Sequence, residues 1–314
     1  MNLLPGFNED FPKDPLDLGK IFDTERKIFY VRSDFITCSN WPHGVLGTRF
    51  IRQALDKFHA KHNDIKILLD VTRRPYSWAG DDTSVNPNKI SYRQSQTEED
   101  RHSIRDDDNN KLQGKSVPDD RHSIRDDDNN KLQGKSVPDI VPIQQLGDRC
   151  NLQFNFNVQM KWHPVESQRL TAYAAKVGKQ EHFVSEMSKL HFEQEKSCAD
   201  RENLLEAIEA AGMNVEDANT FLNTDEGEAA VWKSYGDLIK RYRIKEIPVF
   251  TFTTGLSPFD PSFKSGIGIQ PYVVVGSSSV DLYVSILERL YQGIPPSLET
   301  IDSTTAANNS NSKI

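Results

Sequence analysis

Thiols are the most reactive side chains this sequence offers, and it has three: Cys38, Cys150 and Cys198. A thiolate serves as nucleophile or metal ligand. An odd number at wide spacing fits neither a disulfide framework nor a cysteine zinc site, so no metal centre is expected and a reducing, cytoplasmic setting is the default. Arg73 and Arg74 follow a strand and could meet an anion, though a solvated charge pair is the simpler reading. The runs Asp106–Asp108 and Asp126–Asp128 lack the glycine turn and terminal glutamate of a calcium loop. Gly266-Ile267-Gly268 lacks the strand–helix setting of a phosphate loop.

The elements that must position these groups follow from periodicity. Ile28-Phe29-Tyr30-Val31 is a short strand, Val45–His62 a helix with Leu46, Phe50, Ile51, Ala54, Leu55 and Phe58 on one face, and Ile65–Val71 a buried strand. This β-α-β unit implies parallel strands with a right-handed crossover. Leu152, Phe154, Phe156 and Val158 alternate with polar residues, predicting a half-buried strand over Asn151–Gln159. Five helices come next: Val165–Val177, Gln180–Glu193, one capped by Asp200, one by Asn214 and one by Asp225. The chain then returns to strands at Ile247–Phe252 and Tyr272–Val275, with a helix over Val280–Tyr291.

Residues 1–27 read as a polar leader arm without the basic and apolar regions of a secretory signal. Residues 28–75 and 244–294 form the two parts of one α/β domain, 151–243 an inserted helical domain with its leading strand, and 295–314 a disordered tail. Residues 76–150 form a polar insertion in which the block Asp100–Asp119 recurs without change as Asp120–Asp139. That block has almost no apolar content to offset the entropy of ordering, so a disordered loop is expected. Apolar residues make up 36% of the 314-residue chain, as if a normal core were diluted by such insertions. A net charge of −8 argues against nucleic acid as a partner, and no apolar run is long enough to span a bilayer.

The order β-α-β, helical block, β-β-α resembles a thioredoxin-like fold with an inserted α-helical domain. Local residues sharpen the likeness to the DsbA superfamily and its FrnE-like branch: Gln168-Arg169-Leu170, Asn223-Thr224-Asp225-Glu226-Gly227, Ile247-Pro248-Val249-Phe250 and Tyr272-Val273-Val274-Val275-Gly276. Members of that family carry Cys-Pro-x-Cys-Tyr-x-Gly at the first helix. The counterpart is Trp41-Pro42-His43-Gly44-Val45-Leu46-Gly47, with Trp41 and Gly44 in place of the two cysteines.

The resemblance implies thiol–disulfide oxidoreductase activity, yet a two-cysteine cycle needs a nucleophilic and a resolving thiol, which this motif lacks. Cys38, three residues before Trp41, is the candidate lone thiol, and His43 holds a slot where the family places a thiolate-stabilising histidine; a solvent-facing histidine is the simpler reading. Ile247 and Pro248 stand where the family has its cis-proline loop, implying an edge that pairs with a thiol-containing peptide or glutathione. Two other readings stay open. One is a glutathione-dependent transferase or isomerase of the kappa-class type, with Ser39 or Ser33 as the activating hydroxyl. The other is a non-catalytic peptide-binding module.

Overall fold

The structure is a computed structural model and describes residues 27–85, 88–91, 140–265 and 269–296. The tandem repeat, both aspartate runs, Gly266-Ile267-Gly268, the leader before Lys27 and the tail after residue 296 lie outside the described residues. Strands β1 (Lys27–Thr37) and β2 (Ile65–Pro75) flank helix α1 (Pro42–Lys61). Strand β3 (Ile90–Ser91) and helix α2 (Ile140–Asp148) come next, followed by strand β4 (Gln159–Met160). Helices α3 (Val165–Lys176), α4 (Gln180–Glu193), α5 (Arg201–Ala210), α6 (Val215–Leu222) and α7 (Glu228–Lys240) form the insertion. Strands β5 (Val249–Phe252) and β6 (Tyr272–Val275) and helix α8 (Val280–Tyr291) close the chain.

The main sheet has the order β2-β1-β5-β6. β1 runs parallel to β2 over its whole length and antiparallel to β5, with Phe35 opposite Phe250 and Ile36 opposite Val249. Alternation along β1 therefore feeds two cores. Val31 and Phe35 pack with Leu46, Phe50, Ala54 and Phe250 and with Ile286 and Leu287 of α8. Ile36 packs on the other face with Val249, Ile247 and Leu238 of α7. The insertion has its own core, in which Leu170, Phe183, Leu204, Ile208 and Phe221 interlock.

Both first strands are longer than the apolar runs that announced them, because the polar residues of β1 and β2 are matched within the fold. Ser33 reaches the Thr251 carbonyl, and Tyr30 bonds Asp70. The stretch before β4 is not the predicted strand. Its alternation is real, with Leu152, Phe154, Phe156 and Val158 all buried. Its backbone, however, bonds locally: Asn157 N–H donates to Asn155 Oδ1 at 3.0 Å. The Asn155 N–H donates instead to the Phe192 carbonyl at 2.5 Å, and in this stretch Gln159 and Met160 alone pair as strand among the described residues, with Ser91 and Ile90. The polar insertion also contains order, since α2 carries four aliphatic residues and buries Ile143. Asp225 does not cap α7. Gly227, at φ +79°, holds the N-cap, because the Thr224 and Glu226 carbonyls are bound elsewhere, by Arg169. Asp200 precedes α5 but makes no cap bond and pairs with Lys89 instead. Asn214 does cap α6, accepting from Glu216 and Asp217 N–H.

Helix α1 lies close against β5 at Gly47, where a Cβ would stand 2.5 Å from the ring of fully buried Phe250. Gly47→Ala is expected to destabilise the protein by about 1–3 kcal/mol through overpacking, seen as a lower urea midpoint at unchanged m-value.

Candidate functional site

The turn from β1 into α1 is the place where the fold concentrates its polar groups. Trp41 takes the N-cap position in an extended conformation, and Pro42 fills the first helical position, where no N–H is needed. Trp41 N–H donates to the Cys38 carbonyl at 3.0 Å, and Gly44 N–H to the Trp41 carbonyl at 3.1 Å. The Trp41 ring meets Trp78 edge-on at 5.4 Å. Gly44 is buried, and a Cβ there would stand 3.3 Å from Thr37.

Cys38 is 5% exposed and packs with Tyr76, Leu238 and Ile247. His43 is not solvent-facing: its Nδ1 lies 2.9 Å from Ser277 Oγ, and burial lowers its pKa. The Ile247–Pro248 bond is cis, and both residues are buried. Pairing of Ile36 with Val249 brings this bend beside the end of β1, and Gly276 N–H donates to the Pro248 carbonyl at 2.7 Å.

Sequence reasoning placed Cys198 outside the thioredoxin-like core and gave it no role. The fold sets its sulfur 3.0 Å from Asn40 Oδ1, two residues from Cys38. Burial pushes the Cys198 thiol up, and the neighbouring Cys38 adds to the effect. Cys150 is half-buried, and burial raises its pKa too. None of the three is in a disulfide. No group of His, Cys, Asp and Glu among the described residues is arranged to hold a metal ion.

A cleft opens beside this turn, between the core and the insertion. Cys38, Ser39, Trp41 and Gly44 form one end of it. Ser39 is half-buried, and the Ser167 hydroxyl of α3 lies 2.9 Å from its Oγ and 2.9 Å from the Pro164 carbonyl. Ser33, by contrast, is fully buried in β1. Arg49 and Arg52 of α1, Arg73 of β2 and Lys189 of α4 bring cations to the wall, and Glu193 brings an acid. Arg73 and Arg74 are not a solvated pair. Each is 7% exposed, Arg74 paired with Asp34 at 2.6 Å and Arg73 with Glu181 at 2.7 and 2.8 Å. That pairing holds the Glu181 carboxyl below its ordinary pKa despite burial, which alone would raise it. Composition gave no sign of this cleft, because its cations come from elements far apart in the chain.

A sequence model of the DSBA-like thioredoxin domain matches residues 102–287, more than half of the chain. The match begins after the β1–α1–β2 unit and so does not reach Trp41–Gly44. Nothing among curated proteins matches. Among solved structures, a probable DsbA oxidoreductase from Streptomyces coelicolor superposes with a TM-score of 0.54 at 14% identity, covering 87% of this chain and 94% of its own. That likeness establishes the fold. A candidate protein disulfide isomerase from Nitrosomonas europaea gives 0.49 at 9% identity, over 84% of this chain and 99% of its own. A 2-hydroxychromene-2-carboxylate isomerase gives 0.39 at 11%, over 90% and 100%. No helix among the described residues is long and apolar enough to cross a membrane.

Behind Cys198, His191 is fully buried, and its Nδ1 accepts the Cys198 N–H at 3.2 Å. Burial pushes its pKa down to about 3 from the ordinary 6.5. The unfolded chain therefore binds a proton that the folded one refuses between these values. Stability from this residue is complete above pH 6.5 and falls as the pH drops toward 3, with a slope of about 1.4 kcal/mol per pH unit. Urea unfolding across that window is expected to show a shallower acid limb, by about one proton, in His191→Gln.

Proposed function

Because the chain belongs to the DSBA-like thioredoxin domain family, we propose that it works on thiols, and that it does so by binding a small thiol of the glutathione type rather than by cycling two cysteines of its own. A dithiol cycle needs a reactive thiolate and a second thiol within reach. The N-terminus of α1 offers neither, since Trp41 and Gly44 stand at the two motif positions. Cys38 and Cys198 are buried, and burial disfavours the thiolate that exchange requires.

The observation that carries the reading is the Ser39–Ser167 pair at the end of the cationic cleft. The Ser167 proton can go to Ser39 Oγ or to the Pro164 carbonyl, both 2.9 Å away, and in the first arrangement the Ser39 proton is free to turn into the cleft. There it can donate to a bound sulfur and favour its thiolate, as a nearby donor does for any anion. The helix N-terminus beside it acts in the same direction. This is the arrangement of a transferase or isomerase that activates a thiol cosubstrate. The non-catalytic peptide-binding alternative needs an accessible edge at Ile247–Pro248, and both residues are buried.

Titration calorimetry with reduced glutathione tests the reading. Saturable binding is expected, with the bound thiol ionising below its free value when followed by thiolate absorbance. Ser39→Ala is expected to raise that ionisation by about one to two pH units, the worth of one charge-assisted hydrogen bond. Insulin reduction should be absent in the native protein. Failure of glutathione to bind, or insulin reduction that persists in Cys38→Ser, overturns it.

A further inference from the structure

The cleft has a second end that the thiol chemistry does not use. We infer that the part of it between α1 and α4 is a binding site for an amphipathic organic anion, a carboxylate carried on an apolar body. This rests on the same cleft as the thiol-binding reading but on different residues.

The charge comes first. Arg49 and Arg52 are three residues apart on α1, so they project from one face. Arg73 of β2 lies beside them, and one carboxylate, Glu181, faces this group. Arg73 takes both Glu181 oxygens. Arg52 is left 3.9 Å from that carboxylate, with its side chain 41% exposed. Arg49 has no carboxylate within ion-pair distance among the described residues. Burial lowers the Arg52 pKa, Glu181 opposes that shift, and the neighbouring Arg49 and Arg73 add to it. Across the gap Lys189 adds a further cation, held loosely by Glu186 at 3.9 Å. Glu193 is the acid of the cleft wall, and it pairs with none of these cations. Arginines kept together without enough carboxylate to neutralise them make a ready site for an anion, and a guanidinium binds a carboxylate through two parallel hydrogen bonds.

The walls supply the rest. Between these cations and the Trp41 end, the cleft is faced by Val45, Leu152, Val184, Met187 and Phe192. Thr48, Thr171, Ser185 and Ser188 add hydroxyls to this wall, but apolar side chains make up most of it, and it gains by excluding water from an aliphatic or aryl chain. An inorganic anion would leave that surface wet. A neutral lipid would leave the arginines unpaired. A carboxylate with an apolar body meets both demands, and its length would run from the Arg49–Arg52 mouth toward Trp41.

Sodium decanoate and neutral decanamide are the probes, titrated calorimetrically into the full chain, with reduced glutathione titrated into the same preparations. Decanoate is expected to bind saturably at one site, and decanamide at least about tenfold more weakly, the worth of a charge-assisted pair. Arg49→Gln and Arg52→Gln should each weaken decanoate by about fivefold or more while unfolding at the native urea midpoint. Val184→Trp, which fills the wall without touching charge, should weaken decanoate and decanamide alike. Equal affinity for the two probes, or decanoate binding unchanged in both arginine variants, overturns the proposal. Decanoate binding without glutathione binding would sink the thiol reading alone, and glutathione binding without decanoate binding would sink this one alone.

Discussion

Asp34 sits in the middle of β1 at 1% exposure, and the arrangement of the sheet depends on how its charge is matched. Arg74, at the end of β2, brings Nε and a terminal nitrogen to within 2.7 and 2.6 Å of one oxygen. The other oxygen accepts from Thr251 of β5 at 3.1 Å and from Ser257 at 2.7 Å. Four pieces of chain thus meet on one carboxylate. Removing a partner from such a buried pair costs about 3–5 kcal/mol, because a charge is left without compensation. The pair also fixes register. Arg74 lies opposite Ile36 on the same face as Asp34, so Arg73, opposite Phe35, must turn to the other face. There its guanidinium lies over the Phe35 ring at 5.3 Å and reaches Glu181 of α4. Adjacent arginines on one strand therefore anchor the core with one side chain and begin the cleft with the other.

The helical insertion is tied on by the same kind of contact, a polar side chain satisfying backbone groups that the fold leaves open. Gln168 donates to the Tyr76 carbonyl at 3.1 Å and accepts from Tyr235, and Ser234 donates to the Pro75 carbonyl at 2.8 Å. Arg169 is buried and binds the carbonyls of Thr224 and Glu226, at 2.5 and 2.8 Å. Each of these carbonyls would need a partner wherever the chain ran, since buried backbone groups are rarely left unpaired. These bonds act beside apolar contacts, since Phe192 of α4 and Leu238 of α7 pack into the cores on either face of β1.

Much of this was legible. The helices α4 and α8 follow their apolar spacing from end to end, and Gly178 and Gly212, both with positive φ, stop helices where the sequence placed them. The thioredoxin-like order was readable because strand and helix periods alternate cleanly. Two fragments that carried the family likeness, Gln168-Arg169-Leu170 and Asn223 to Gly227, turn out to be one contact, the Arg169 guanidinium on the loop before α7. What could not be read was pairing between distant charges. Arg73 and Arg74 look solvent-bound in the sequence, because Asp34 and Glu181 stand 40 and 108 positions away from them. Cys198 looked remote for the same reason. The false strand before β4 had a sound alternation, but its Asn155 and Asn157 N–H groups go to the Phe192 carbonyl and to Asn155 Oδ1 rather than to a neighbouring strand.

At the turn into α1, Trp41 and Gly44, which the sequence resemblance aligns with the family's two cysteines, are both held by packing. Trp41 is packed against Trp78, which itself meets Tyr76 edge-on at 5.5 Å. A cysteine at 41 would leave that aromatic stack without one of its members, and emptying a packed aromatic position costs about 3–5 kcal/mol. At 44 the opposite holds, since Thr37 crowds any added Cβ at 3.3 Å. Two positions whose chemistry would demand exposed sulfur are therefore both committed to packing, one by filling space and the other by leaving none. The dipole of the helix end still favours negative charge.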